Sequence, residues 1–237
     1  DRLITDDFLA EFERRRGYPL DENLLVVLAQ SADSFLLDAG RVQVAPELQL
    51  SDADADIRWD YRQTVSELFI ERFVGGLGGW AEEHGALLRS QSYGIDVDVI
   101  AAAGAAHIPE VETLYAGGSR LFLKIASSAA HLAGRDRASS EAFSFILRDH
   151  MTTPLKVRAV ADLQIASGIT ELVFHGVPYG AAGEYGLPGW VPFSSPYGGA
   201  STFGSTFGES WEFADALPQL NRYIARSQAL MRSGEPG

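Results

Sequence analysis

From Leu87 to Tyr179, carboxylates, an arginine, an imidazole and aromatic rings recur at the ends of four strand-like segments, Leu87–Gly94, Ala106–Glu112, Arg137–Phe143 and Leu172–Tyr179. Glu141 closes the third beside Ser139, Ser140 and Phe143, with no basic neighbour in sequence. It suits a catalytic carboxylate, although spacing alone favours a glutamate placed at a helix start by the helix dipole. Glu110 and Glu112 stand one segment earlier and are expected on opposite faces of a persisting strand, one reaching the site and the other structural or solvated. Oxygen-rich positions of this kind also suit a hard cation such as Ca²⁺. Arg89, Gln91 and Tyr93 alternate along the first segment and are expected to face one way. A parallel strand buried on both faces should be almost wholly apolar, so this stripe points to substrate hydrogen bonding rather than to a structural ion pair. His175 ends the last segment, either as a ligand contact or as a satisfied structural histidine. Tyr179, Tyr185 and Trp190 follow in a loop, where their faces can stack on a sugar or be pinned to the domain. No serine lies in a Gly-x-Ser-x-Gly elbow, and no histidine pair has metal spacing.

Four such segments need elements to hold them. Each is followed by a helical pattern: Ile95–Ala103, Ser119–Leu132 with Gly134 beyond it, Pro154–Ser167 stopped by Gly168, and a final Leu217–Met231 after a Gly/Ser/aromatic-rich loop, Pro178–Gly208. Strand–helix alternation predicts a parallel sheet with crossover helices, which places chemistry at the strands' carboxyl ends. An open doubly wound sheet usually carries its ligand at one switch point after a glycine-rich turn. Here every strand end is polar, which suits a ring of loops around one mouth. The expected fold class is α/β of the (β/α)₈ barrel type, with the chain supplying half the barrel. Open edges in a half-barrel predict that residues 1–237 are a fragment.

Upstream, Thr5 caps a helix in which Phe8, Leu9 and Phe12 recur at helical spacing, closed by Arg14–Arg16 and Gly17. The three arginines read as a dipole-matched, solvated helix end rather than an anion site. Asp21–Leu28 reads as a second short helix, and residues 39–57 as a loop or insertion. Tyr61–His84 reads as one long helix. Gly75, Gly76, Gly78 and Gly79 weaken it, allowing close packing or a kink; they follow a helix and lack a Lys-Ser/Thr, so they are no phosphate loop.

Composition bounds the function. The chain has 237 residues, 46 % hydrophobic and 22 % charged, enough for a large α/β domain. Its net charge of −13 argues against nucleic acid and anionic membrane surfaces as partners, because neutralising phosphates takes a basic face. Lysine occurs only at Lys124 and Lys156, and cysteine is absent, which removes disulfides and thiolate chemistry. No apolar run reaches membrane-span length. Asp1–Thr5 has neither an initiator Met nor a signal-peptide pattern, in line with the fragment expectation.

Several motifs, taken in order, resemble glycoside hydrolase family 106, the α-L-rhamnosidases. They are Phe8-Leu9-x-x-Phe12 to Arg16-Gly17-Tyr18, Trp59-Asp60-Tyr61-Arg62, Arg89-Ser90-Gln91-Ser92-Tyr93-Gly94, Ile108-Pro109-Glu110-x-Glu112, Ala126–Leu132 with Ser140-Glu141, His175-Gly176-x-Pro178-Tyr179, and Leu217-Pro218-x-Leu220-Asn221-x-Tyr223-x-Ala225-Arg226. The motifs are unspecific singly; their order and spacing carry the resemblance, which covers nearly the whole chain. It implies a catalytic (β/α)₈ barrel in a larger protein with β-sandwich modules, inverting hydrolysis of terminal α-L-rhamnosides on plant or microbial glycosides and polysaccharides, and dependence on calcium. The four strands would be numbers five to eight, with the catalytic base at Glu141 on strand seven. The acid would lie near the end of strand four, in a segment before Asp1, so these residues alone are expected to be inactive. Glu110 would be a third acidic position at the catalytic centre, Glu110 or Glu112 would lie near the cation, with Glu112 as the metal ligand, and Arg89, Gln91 and His175 would hold sugar hydroxyls. Two alternatives stay open: a retaining barrel glycosidase of β-galactosidase type with Glu141 as nucleophile, and a non-catalytic sugar-binding barrel. A polysaccharide-degrading family is compatible with secretion or a periplasmic location, which no targeting segment here supports.

Overall fold

A computed structural model describes residues 5–17, 52–113, 119–145, 152–177, 207–208 and 211–233. They belong to two compact units, Asp1–Gly76 with Tyr93–Asp98, and Leu77–Ser92 with Val99–Gly237. The expected Asp21–Leu28 helix lies outside the described residues.

In the first unit, helix α1 (Asp6–Arg16) starts where Thr5 Oγ1 accepts the Phe8 amide and stops at Gly17, whose φ of 74° is cheap only for glycine. Its apolar stripe packs Phe12 and Phe8 against Tyr61 and Ile57 of helix α2 (Asp52–Leu68). The helix start at Asp52 corrects the expected loop over residues 39–57, of which residues 39–51 are not described. The arginine cluster also departs from expectation. Its dipole match holds, but Arg15 is no solvated end: its guanidinium meets Glu11, Glu67 and Glu71 at 2.6–2.9 Å, and its side chain is 13 % exposed. Arg16 reaches Glu67 at 2.7 Å and Thr64 at 3.0 Å. The expected single helix Tyr61–His84 is interrupted by a π-helical turn, Phe69–Val74, before helix α3 (Gly75–Glu83).

These ion pairs make the first unit acid-sensitive. Hydrogen bonds from Arg14 and Arg15 hold the Glu11 carboxyl down at about 2. Burial pushes Glu67 up, but Arg16 and Arg15 outweigh it and leave it below its ordinary value; Arg15 does the same for Glu71. A carboxylate depressed in the folded state adds stability that is complete above its unfolded value near 4.5 and fades as pH falls toward about 2. In Arg15→Met the acid-unfolding midpoint, followed by circular dichroism, is expected to move to higher pH. An unchanged midpoint would show the network to be energetically silent.

The second unit holds the sheet. Strands β1 (Arg89–Ser90), β2 (Ile108–Glu112), β3 (Ser139–Ala142) and β4 (Glu171–Phe174) run parallel in the order β1-β2-β3-β4. Helices α4 (Val99–Ala105), α5 (Arg120–Leu132) and α6 (Pro154–Ala166) make the crossovers. Among the described residues the strand order contains no reversal, and so no switch point of the doubly wound kind. Small residues set the layer spacing. Leu123, Ala126, Ser127, Ala129 and Ala130 form the buried stripe of α5, and a Cβ on Gly104 would come within 3.2 Å of Ala133. Thr153 caps α6, with Pro154 in its first turn as expected. The 3₁₀ turn Ala214–Ala216 leads into α7 (Leu217–Arg232).

Gly168 is the tightest point of this packing. Its φ is 89°, and a Cβ there would lie 2.9 Å from Ser127 Cβ, whose hydroxyl donates to Ser167 O at 2.9 Å. Gly168→Ala is expected to cost about 1–3 kcal/mol. Gly79→Ala, on a helical position with nothing within 4 Å, should gain up to about 1 kcal/mol. Urea unfolding of the two variants checks the opposite signs.

Candidate functional site

The site follows from the register of three strands. Glu110 lies opposite Ser139, and Ser139 opposite Glu171. One pleat repeat further on, Glu112 lies opposite Glu141, and Glu141 opposite Val173. Because alternation has period two, Glu110, Glu112, Ser139, Glu141 and Glu171 share one sheet face, while Val111, Ser140 and Leu172 turn to the other. This corrects the expectation that Glu110 and Glu112 face opposite ways. The strand persists to Glu112, and residues two apart return to the same face.

A polar face in a parallel sheet must satisfy its charges internally. Glu110, its side chain only 10 % exposed, is held by Arg89 Nε at 3.0 Å, by the Ser139 hydroxyl at 2.7 Å and by Gln91 Nε2 at 3.1 Å. Gln91 Nε2 also donates to Glu141 Oε2 at 2.7 Å. The other Glu141 oxygen stands 3.7 Å from His175 Nε2, an ion-pair distance when the imidazole is protonated. The Arg89 guanidinium extends to Glu171 at 3.8 Å, which Arg137 approaches at 3.7 Å. Glu141 is more open than Glu110 or Glu171, with 32 % of its side chain exposed against 10 % and 25 %. Oriented by one amide and one imidazole at the carboxyl end of a strand, it can take a proton from water. Glu110, taken up by three donors, cannot readily do so.

Of the residues singled out in the sequence, Arg89, Gln91, Glu110, Glu141 and His175 come together, and Glu112 adjoins Glu141 in register. Strand β1 ends at Ser90, so alternation does not carry to Tyr93, which belongs to the first unit. Tyr179 and Trp190 lie outside the described residues. Ser139, Glu171 and Arg137 were missed. Period-two spacing offered a signal, since Ser139 precedes Glu141, and Glu171 precedes His175, by whole pleat repeats.

Calcium is not matched by this donor set. Among the described residues no group of three or more His, Asp or Glu side chains is arranged to hold a metal ion. A calcium ion takes six to eight oxygens, whereas both Glu110 oxygens and one Glu141 oxygen already accept hydrogen bonds here. Among the described residues, no helix is long and apolar enough to cross a membrane.

Taken together, the fold and the site define an α/β protein whose parallel strands carry a carboxylate-rich polar face that ends in an open glutamate. The chain belongs to glycoside hydrolase family 106: that family's profile, described as alpha-L-rhamnosidase, matches residues 2–237. A solved rhamnosidase from Novosphingobium sp. PP1Y is similar to it in structure, with a TM-score of 0.62 and 20 % sequence identity. The similarity covers 98 % of this chain and 21 % of that one. At this identity it speaks for the fold alone. No curated protein matches the sequence.

Proposed function

We propose that the four strands are numbers five to eight of a (β/α)₈ barrel, and that the full-length protein removes terminal α-L-rhamnose from plant or microbial glycosides and polysaccharides by an inverting mechanism. The observation that carries this reading is Glu141: a partly open carboxylate, held from two sides, at the end of a parallel strand in a member of a rhamnosidase family. In the proposed reaction Glu141 takes a proton from a water molecule as the water oxygen bonds to the anomeric carbon. The glycosidic bond breaks, and a second carboxyl group, outside the described residues, protonates the leaving oxygen.

We do not assign Glu110 that part. The two oxygens sharing Gln91 Nε2 lie 3.1 and 2.7 Å from it, so they are within about 6 Å of each other, short of the roughly 6.5–9.5 Å between carboxyls that leaves room for a water. We therefore give Glu110 the central role of holding the array. Arg89, 40 % exposed, and His175 reach the same face and are proposed to meet sugar hydroxyls. Calcium dependence enters the proposal through the family alone.

A panel of p-nitrophenyl glycosides offered to the full-length protein, with and without chelator, tests the substrate class. Cleavage of the α-L-rhamnoside is expected. Cleavage of a different glycoside would overturn the substrate, and a folded protein that binds rhamnose without cleaving anything would point to a binding barrel.

A further inference from the structure

We propose that Gln91 is a positioning residue: its amide nitrogen spaces Glu110 and Glu141 and aims Glu141 at the water. This rests on the hydrolase reading above and adds to it a role different from sugar binding. A primary amide nitrogen carries two donor hydrogens. Both have carboxylate acceptors here, Glu110 Oε1 at 3.1 Å and Glu141 Oε2 at 2.7 Å.

The choice of side chain is informative. A Lys or Arg at this place would bridge the two glutamates as well, but it would bind the carboxylate that must accept a proton as an ion pair. A neutral amide orders two like charges without neutralising either. The end of β1 thus supplies two holds, Arg89 on Glu110 and Gln91 on both glutamates.

The two glutamates depend on Gln91 unequally. Glu110 has Arg89 and Ser139 besides. Glu141 is faced by Gln91 beyond β1, by Glu110 and Glu112 from β2, and by His175 beyond β4; further along the same face Glu171 sits with Arg89 and Arg137. Loss of the amide therefore falls mainly on Glu141, which keeps the imidazole but loses the donor between it and a second carboxylate.

The test is kinetics and titration of Gln91→Leu and of the near-isosteric Gln91→Glu in the full-length protein. With p-nitrophenyl α-L-rhamnoside, kcat is expected to fall roughly tenfold to a hundredfold with KM nearly unchanged. The acidic limb of the kcat–pH profile should move to higher pH, further in Gln91→Glu than in Gln91→Leu. A raised KM with kcat and pH profile intact would make Gln91 a substrate contact and overturn the proposal. So would a lowered kcat with an unmoved profile, the mark of a merely structural role. A readout independent of turnover separates this from failure of the hydrolase reading. In protein carrying ¹³Cδ-glutamate, with Glu141→Gln used for assignment, the Glu141 signal should titrate at higher pH in both Gln91 variants than in the wild type. If it does not, the spacing role fails, whether or not any rhamnoside is cleaved.

Discussion

Glu141→Gln in the full-length protein is expected to lower kcat for α-L-rhamnoside hydrolysis by about 10²–10⁴-fold, the range contributed by a positioned general base. The substitution keeps the side chain's size and one oxygen but removes its ability to accept a proton from water. KM should change little, because the lost interaction belongs to the transition state. Folding should be close to wild type, since Glu141 is part-exposed and its neighbours on the sheet face stay paired. An active Glu141→Gln enzyme, within a few fold of wild type, would remove Glu141 from the chemistry.

The largest stability effect is expected one turn of chain away. Phe143 follows β3 with φ of 72° and no exposed surface. Its ring packs edge-on against Phe174 at 4.7 Å and Phe207 at 5.7 Å, and Phe207 leads on to Trp211 at 5.3 Å, whose indole N–H donates to Thr152 O at 2.9 Å. A left-handed backbone costs a non-glycine residue roughly 1–2 kcal/mol. The fold tolerates that cost because the ring's burial outweighs it. Phe143→Ala should therefore destabilise the protein by about 3–5 kcal/mol, read from urea unfolding. Phe143→Gly should cost no more than Phe143→Ala despite losing one more carbon, because glycine relieves the backbone. A cost below about 1 kcal/mol for Phe143→Ala would mean that the cluster does not fasten the end of β3.

Local signals in the sequence were reliable where one residue determines one contact. Thr5 and Gly17 bound α1, Thr153 and Pro154 start α6, and three of the four strands lie inside the segments read from the sequence, β4 starting one residue earlier at Glu171. Contacts between elements were harder to see. Arg14–Arg16 looked like a solvated helix end because Glu67 and Glu71 are some fifty residues away along the chain. The polar stripe of β1 was extended too far because nothing local marks its end at Ser90.

The site shows the same division. Glu141, Glu110, Arg89, Gln91 and His175 were legible from residue type and strand position. Their partners were not, because strand register decides that Ser139 lies beside Glu110 and Glu171 beside Ser139, and register is absent from a one-dimensional pattern. The face of Glu112 is the instructive error. The period of the pleat alone would have placed it on the same face as Glu110.

The measurement that tests the central claim most directly is ¹H NMR of the first rhamnose released by the full-length wild-type protein, recorded before mutarotation. Glu141 acting as a base on water requires inversion, so the β-anomer of L-rhamnose should appear first. The α-anomer first, especially with a glycosyl group trapped on Glu141, would make that residue a nucleophile and contradict the mechanism proposed here.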